Sequence, residues 1–159
     1  MNMDLDVLAR FLVRAKVQAY AGEGSEVSSQ RPGFKELEFI EGDWYYRDSY
    51  SGFFLAPGQE VVRYQGVPVW AMAYSGGMLP EFHGDTVFAK RTFTFLKQVL
   101  LRVEVSRPFR GPRFFQEGDF SYSDSSSGDL TDFVGTESIS YRGKEVFRQR
   151  YIGGLIISK

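Results

Sequence analysis

The sequence predicts an α+β protein of two similar halves, each a helix followed by a four-stranded antiparallel meander, with the helices packed on one face of the sheet or sheets. The first supporting observation is an internal repeat. Residues 31–52 recur as residues 107–128 with 11 of 22 positions identical, and residues 58–79 recur as residues 135–156 with 8 of 22 identical. The second is an apolar helical stripe near the start of the chain. The third is a series of short strand-like segments around tight turns in both halves.

Residues 4–20 have the apolar spacing of an amphipathic helix. Apolar side chains recur at i, i+3, i+7, i+10 and i+14, which places them on one helical face. They are Leu5, Leu8, Leu12, Ala15 and Ala19. Asp4 is positioned to cap this helix, and Gly22 and Gly24 are positioned to end it. Residues 21–35 are rich in glycine, serine and proline, so we expect a loop there.

Four strands are predicted in the remainder of the first half. They are residues 37–40, 44–50, 60–64 and 67–74. The first two flank a turn at Gly42. The second two flank Gln65-Gly66, where glycine tolerates the positive φ that a tight hairpin requires. The meander ends in Tyr-x-Gly-Gly at Tyr74, and close approach of another backbone is a physical reason for two glycines in a strand.

The second half repeats this plan. Asp85 is positioned to cap a helix over residues 86–102, with Phe88, Phe95, Val99 and Val103 largely on one stripe. The matching strands are residues 113–116, 120–125, 137–141 and 144–152. We therefore predict a single domain of two halves, at about residues 1–79 and 80–159.

Composition excludes several classes of function. The chain has 159 residues, 19 basic and 20 acidic, whereas a nucleic-acid-binding surface requires a basic excess. It contains no cysteine and one histidine, so thiolate catalysis, disulfides and cysteine metal sites are ruled out. We expect no cofactor, no metal and no direct contact with nucleic acid or membrane. Charged residues interrupt the first twenty positions, which favours a cytoplasmic location.

The differences between the halves suggest a binding site, because residues shared by both copies are expected to serve folding. The first half is aromatic or apolar at four positions where the second half differs: Trp44, Tyr50, Trp70 and Met72. The second half instead has Arg148 and Arg150, two residues apart on one strand face. An aromatic wall opposite two guanidinium groups would suit a planar or anionic small molecule. The competing interpretation is that the aromatics are core and the arginines are exposed edge charges.

Two further functions remain open at this stage. The same aromatic surface could bind a partner protein or a second copy of the chain. A carboxylate-dependent hydrolase using Asp48, Glu60 or Asp124 is the least favoured alternative. His83, in a loop before the second helix, could act as a base, but a lone loop histidine is usually without such a role. The chain has no nucleophile elbow, phosphate loop or dinucleotide-binding fingerprint.

The chain also resembles a family of small bacterial and archaeal domains of unknown function. The motifs that carry the resemblance are Tyr20-Ala21-Gly22, Arg31-Pro32-Gly33, Glu41-Gly42-Asp43, Asp48-Ser49-Tyr50, Val69-Trp70 and Gly153-Gly154, within residues 5–157. Members occur alone or behind helix-turn-helix domains of transcriptional regulators. The resemblance implies a sensing or effector-binding module and supplies no catalytic residues, so we expect a non-enzymatic protein with its site between the halves.

Overall fold

The structure, a computed structural model, describes residues 3–21 and 26–158, with only the backbone described at residue 21. These residues form two helices, α1 (Leu5–Ala21) and α2 (Thr86–Leu100), and nine strands. The strands are β1 (Glu26–Val27), β2 (Lys35–Glu41), β3 (Trp44–Tyr50), β4 (Gly58–Tyr64), β5 (Val67–Met78), β6 (Phe114–Glu117), β7 (Phe120–Asp129), β8 (Asp132–Tyr141) and β9 (Lys144–Leu155).

All nine described strands belong to one antiparallel sheet, in the order β1-β2-β3-β4-β5-β9-β8-β7-β6. Strands account for 49% of the structure and helices for 23%, so the predicted α+β class is wrong and one large sheet dominates. The repeat located strands within each half but did not reveal that β5 pairs with β9. That pairing joins the two meanders, because each would otherwise end in an edge of unpaired N–H and C=O groups.

The two halves meet around a pair of repeat-equivalent tyrosines. Tyr74 and Tyr151, which correspond in the repeat, are directly opposite each other in the β5–β9 ladder. Around them the pairing is reciprocal: Met72 faces Gly153, and Gly76 faces Gln149. An approximate two-fold axis therefore passes through the sheet between the two tyrosines.

The Tyr-x-Gly-Gly segments allow this junction to form. A Cβ on Gly76 would lie 2.2 Å from the carbonyl oxygen of Arg148, and its φ of +144° is one that other residues rarely adopt. A Cβ on Gly153 would lie 2.4 Å from the carbonyl oxygen of Ala71. The predicted reason for the repeated glycines, close approach of a second backbone, is confirmed.

Both helices begin where the sequence predicts. Asp4 Oδ1 accepts hydrogen bonds from the backbone N–H groups of Asp6 (3.0 Å) and Val7 (3.2 Å). Asp85 Oδ1 accepts one from Phe88 N–H at 2.9 Å. These bonds satisfy donors that a helix N-terminus cannot pair internally. The second helix ends at Leu100, so Val103 lies in the following loop.

Alternate strand residues and the helices enclose two apolar clusters on the same side of the sheet. The first includes the apolar stripe of α1 from Leu8 onward, without the exposed Leu5, and strand residues of both halves, such as Tyr46, Trp70 and Tyr151. The second combines Phe95 and Val99 of α2 with strand residues that include Tyr122 and Phe147. We call this helix-covered side of the sheet the inner face and the opposite side the outer face.

The region predicted as a loop, residues 21–35, contains the short edge strand β1, which pairs with β2. The predicted helix-ending glycines, Gly22 and Gly24, lie outside the described residues. In the second half, β7 and β8 extend beyond their predicted ends and pair as far as Asp129 and Asp132. In the first half, residues 51–57 instead leave the hairpin and run along β5, where Leu55 bridges Gly77. This difference creates space on the inner face of the first half.

Candidate ligand-binding cavity

A cavity of about 470 Å³ lies on the inner face, between the two halves. Its lining comes from α1, α2, β2, β3, β5, β9 and the 51–57 loop. The volume falls within the range of small-molecule sites, roughly 300–1,000 Å³. The approximate two-fold axis between Tyr74 and Tyr151 is close to this site, since Tyr74 lines the cavity.

The cavity has an apolar wall, a polar floor and a basic mouth. The wall consists mainly of Leu37, Phe53, Phe93, Leu96, Leu100 and Phe147. The floor presents Tyr20, Asp48, Tyr74, Arg110 and Gln149. Lys35 and Lys97 line the cavity and are also exposed, which locates them at the mouth. An apolar enclosure with a few convergent polar groups is typical of a site that binds and orients a small molecule.

In the first half, two carboxyl groups are directly opposite each other on β3 and β4, and one of them, Asp48, lines the cavity floor. Asp48 pairs with Glu60 in the ladder, and both side chains are almost completely buried. Lys16 of α1 forms an ion pair with Glu60, with Nζ 2.7 Å from Oε2. Tyr20 O–H donates to Glu60 Oε1 at 3.2 Å, and Tyr74 O–H donates to Asp48 Oδ1 at 2.7 Å.

In the second half, the repeat-equivalent carboxyl groups are also opposite each other, Asp124 on β7 and Glu137 on β8. Tyr151 O–H donates to Asp124 Oδ1 at 2.8 Å, as Tyr74 does to Asp48. The Arg110 guanidinium is 2.8 Å from Glu137 Oε1, and Tyr122 O–H donates to Glu137 Oε2 at 2.7 Å. The repeat thus preserves a set of buried polar side chains as well as apolar ones.

The two aspartates differ in one respect. Arg107 Nη2 donates to Asp124 Oδ2 at 2.9 Å, so Asp124 has a cationic partner. Arg31, the repeat counterpart of Arg107, is exposed, and its Nη2 donates to Gln59 at 3.0 Å. Among the described residues, Asp48 forms no ion pair and its Oδ2 accepts no hydrogen bond. Asp48 therefore lines the cavity without an ion-pair partner among the described residues, although the nearby charges of Arg110 and Lys16 act to lower its pKa.

Burial governs the protonation of the network. Burial, reinforced by the charge of Glu60, raises the pKa of Asp48 to about 7, although the hydrogen bond from Tyr74 acts in the opposite direction. Burial also raises the pKa of Asp124, while its hydrogen bond from Tyr151 lowers it. Burial lowers the pKa of Lys16, and the charge of Glu60 opposes this shift. At neutral pH, Asp48 is consequently close to its pKa, so its neutral and charged forms differ little in free energy.

Of the six residues predicted to form the binding site, Tyr50 alone lines the cavity. Trp70 and Met72 are completely buried in the core, with Trp70 Nε1 donating to the carbonyl oxygen of Leu130 at 3.2 Å. Trp44 is half-buried against Phe11, with ring centroids 5.2 Å apart. The structure thus agrees with the competing interpretation, in which these aromatics are core.

The two predicted arginines lie away from the cavity. Alternation along β9 directs Phe147 and Gln149 to the inner face, which leaves Arg148 and Arg150 exposed on the outer face. Arg148 forms an ion pair with Glu145, with nitrogen and oxygen 2.8 Å apart. The sequence correctly indicated that Arg148 and Arg150 share one face of a strand. Their spacing did not show whether that face is the inner or the outer face of the sheet.

The sequence did not point to Lys16, Arg110 or Gln149, and it suggested Asp48 only as a residue shared for folding or as part of the least favoured hydrolase. One signal was present. Lys16 follows Leu12 by four residues, so it occupies the apolar stripe of the first helix. A lysine on the buried stripe of a helix requires a buried anionic partner, because an isolated buried charge is strongly unfavourable.

The remaining candidate groups have structural contacts. His83 Nε2 is 2.9 Å from the carbonyl oxygen of Met78, and its ring centroid is 5.5 Å from that of Phe54. Asp48 and Glu60 do converge, but Glu60 is occupied by Lys16 and Tyr20. Across the part of the chain that the structure describes, no group of three or more histidine or acidic side chains is arranged to hold a metal ion.

Fold and cavity together define a duplicated antiparallel-sheet domain with a partly open, polar-floored site. The chain belongs to a domain family of unknown function (DUF5680), which matches residues 48–156 and so includes most of both meanders. No curated protein and no solved structure matches the chain. Within residues 3–21 and 26–158, neither helix has the length and apolarity to cross a membrane.

Proposed function

We propose that the protein is a non-enzymatic module that binds a small molecule in the cavity between its halves. The observation that carries this proposal is the combination of a largely apolar cavity of about 470 Å³ with polar groups at its floor. A network of buried hydrogen bonds and ion pairs holds those groups in place, which reduces the cost of ordering them on binding.

The composition of the lining favours binding over catalysis. Among the described residues, no serine, threonine or histidine lines the cavity, so the usual hydroxyl nucleophiles and the usual base are lacking there. Glu60 and Glu137 are each paired with a cation and a tyrosine. Hydrolysis by the Asp48–Glu60 pair therefore remains the least supported alternative.

The resemblance to domains found behind helix-turn-helix regulators suggests a biological setting for this proposal. In that setting, the cavity would act as a sensor for a cytoplasmic effector molecule. Ligand binding would draw α1 and α2 together over the cavity, because both helices contribute to its lining and contact each other. A partner protein would respond to this conformational change.

A protein-interaction module, including self-association, is the second candidate. The aromatic surface first considered for this role is largely buried. The observation that favours it instead is on the outer face, where Val134 and Ile152 pair directly across β8 and β9 and are 49% and 60% exposed. A concentration-dependent mass in light scattering would support this candidate.

The test of ligand binding is a thermal-shift screen of metabolites, followed by calorimetric titration of each hit. A ligand at about 100 times its Kd adds about 2.7 kcal/mol of stability. In a protein of this size that corresponds to a rise of roughly 5–11 °C in melting temperature.

Two matched variants locate the binding. Ala56→Phe places a ring into the cavity, whereas Ala73→Phe adds the same ring to an exposed position of β5. We expect Ala56→Phe to abolish binding and Ala73→Phe to preserve it. Unchanged affinity in a folded Ala56→Phe protein would show that the hits bind elsewhere and would refute the proposal.

A further inference from the structure

We propose that the buried end of the ligand carries a cationic nitrogen, as in an ammonium, amidinium or guanidinium group, which pairs with Asp48. The remainder of the ligand is apolar and contacts the cavity wall. This inference rests on the proposed function, since it specifies the chemical class that the same cavity accepts.

The charges of the buried network do not balance. The network contains four carboxyl groups, Asp48, Glu60, Asp124 and Glu137, and three cations, Lys16, Arg107 and Arg110. Each cation is paired with one carboxylate: Lys16 with Glu60, Arg107 with Asp124 and Arg110 with Glu137. The fourth carboxyl group, Asp48, is the remaining one. A cation within hydrogen-bonding distance favours the charged form of a buried carboxyl group, so a cationic group of a ligand can pair with Asp48.

The pseudo-symmetry also points to a cation at Asp48. In the second half, Asp124 receives Tyr151 O–H on one side and the Arg107 guanidinium at 2.9 Å on the other. In the first half, Asp48 receives Tyr74 O–H in the equivalent way, but Arg31 is exposed and bound to Gln59. The pair of Arg107 and Asp124 therefore shows that a guanidinium group can bind an aspartate in this environment. Asp48 itself lines the cavity, so a ligand bound there would contact it.

Aromatic side chains beside Asp48 also favour a cation. Tyr50 is two residues further along β3 on the same face, and Tyr74 is the hydrogen-bond donor to Asp48; both line the cavity. The Tyr74 ring already carries one cation, because the Arg110 guanidinium carbon is 5.4 Å from its centroid. The electron-rich faces of such rings attract cationic nitrogen.

The basic mouth restricts the ligand to one positive charge. Lys35 and Lys97 are exposed and line the entrance, so a second cationic group at the outer end would meet like charges. A monoamine with an apolar body fits this distribution, whereas a diamine of similar length is disfavoured. The competing possibility is an anionic ligand that binds Arg110, which also lines the floor.

Three probes with one ring system separate these possibilities. They are naphthalen-2-ylmethylamine, its neutral analogue naphthalen-2-ylmethanol, and 2-naphthoate, each titrated calorimetrically at pH 8 into the wild-type protein. We expect the amine to bind at least about tenfold more tightly than the alcohol, as a buried charge pair requires. We expect 2-naphthoate to bind most weakly.

The variant Asp48→Asn keeps the shape of the side chain and removes its charge. It should reduce the affinity for the amine at least about tenfold and leave that for the alcohol within about twofold. Asp43→Asn removes an exposed carboxylate at the turn before the same strand and should change neither affinity. An amine preference that survives in a folded Asp48→Asn protein would overturn the assignment.

The outcomes distinguish this inference from the proposed function. Equal affinities for the amine and the alcohol, both lost in Ala56→Phe, would overturn the cationic ligand and retain the cavity as a binding site. Tightest binding by 2-naphthoate would overturn it in favour of an anion at Arg110. Failure of all three probes would also overturn it, while screen hits blocked by Ala56→Phe would still support the proposed function.

Discussion

The buried ion pair between α1 and the sheet provides the most direct test of the network. Lys16→Met keeps much of the length of the side chain and removes its charge. Lys16 and Glu60 are both 0% exposed, and Lys16 also donates to the carbonyl oxygen of Phe109. The substitution leaves Glu60 uncompensated beside Asp48 and a backbone acceptor unpaired. Loss of one partner of a buried pair typically costs about 3–5 kcal/mol.

Urea unfolding followed by tryptophan fluorescence measures this cost, and thermal unfolding should show a loss of roughly 6–20 °C. Arg14→Met is the matched control on the same helix. Arg14 pairs with Glu41 at 2.5 Å, but the two side chains are 47% and 43% exposed, so about 0–1 kcal/mol is expected. The double variant Lys16→Met/Glu60→Gln should recover part of the lost stability. A Lys16→Met cost no larger than that of Arg14→Met would refute the reasoning.

Three other predictions concern stability. Burial raises the pKa of Asp48 to about 7, so the folded state holds this proton more tightly than the unfolded state, and the contribution of Asp48 to the free energy of unfolding falls as pH rises from about 4 to 7. Asp48→Asn should therefore raise the urea midpoint at pH 8, and this gain should vanish near pH 4. A lower midpoint for Asp48→Asn at pH 8 would contradict this. Trp70→Ala should cost about 3–5 kcal/mol in the same assay and Arg148→Ala less than about 0.5, because Trp70 is buried in the core and Arg148 is exposed. Similar costs for the two variants would contradict the core position of Trp70 and the exposed position of Arg148. Gly76→Ala should cost more than about 2 kcal/mol and Gly66→Ala about 1, since of these two positions a Cβ clashes only at Gly76. Equal shifts in melting temperature for the two variants would contradict the close approach of β5 and β9.

The duplication gives the same polar residues two different roles. In the second half, the carboxylates are fully paired by Arg107 and Arg110, and the hairpin closes tightly between β7 and β8. In the first half, the 51–57 loop departs from the hairpin and Asp48 faces the space that results. Asp48 is thus shared by both halves for folding and also belongs to the candidate site. Because Arg31 does not pair with it as Arg107 pairs with Asp124, Asp48 is available to a ligand.

The candidate site could be predicted only in part. The expectation of a site between the halves matches the position of the cavity, and Tyr50 is among its lining residues. Trp70 and Met72 were assigned to the site because they differ between the halves, but a difference in the core is equally compatible with repacking. Arg110 could not be found from spacing, since it lies in a loop and reaches Glu137 across 27 positions of the chain.

The sequence by itself determined the local structure. Helix starts at Asp4 and Asp85, hairpin turns at Gly42 and Gly66, and the repeat all follow from capping, turn geometry and alternation, which depend on neighbouring residues.

Only the tertiary structure decided how the halves combine and which faces they bury. The β5–β9 pairing depends on backbone groups, which every residue carries, so side-chain identity does not specify it. A strand pattern also leaves the inner and outer faces of β9 undetermined until that pairing is fixed, because a shift of one residue exchanges them. This is the physical reason why Gln149, rather than Arg148 or Arg150, reaches the cavity.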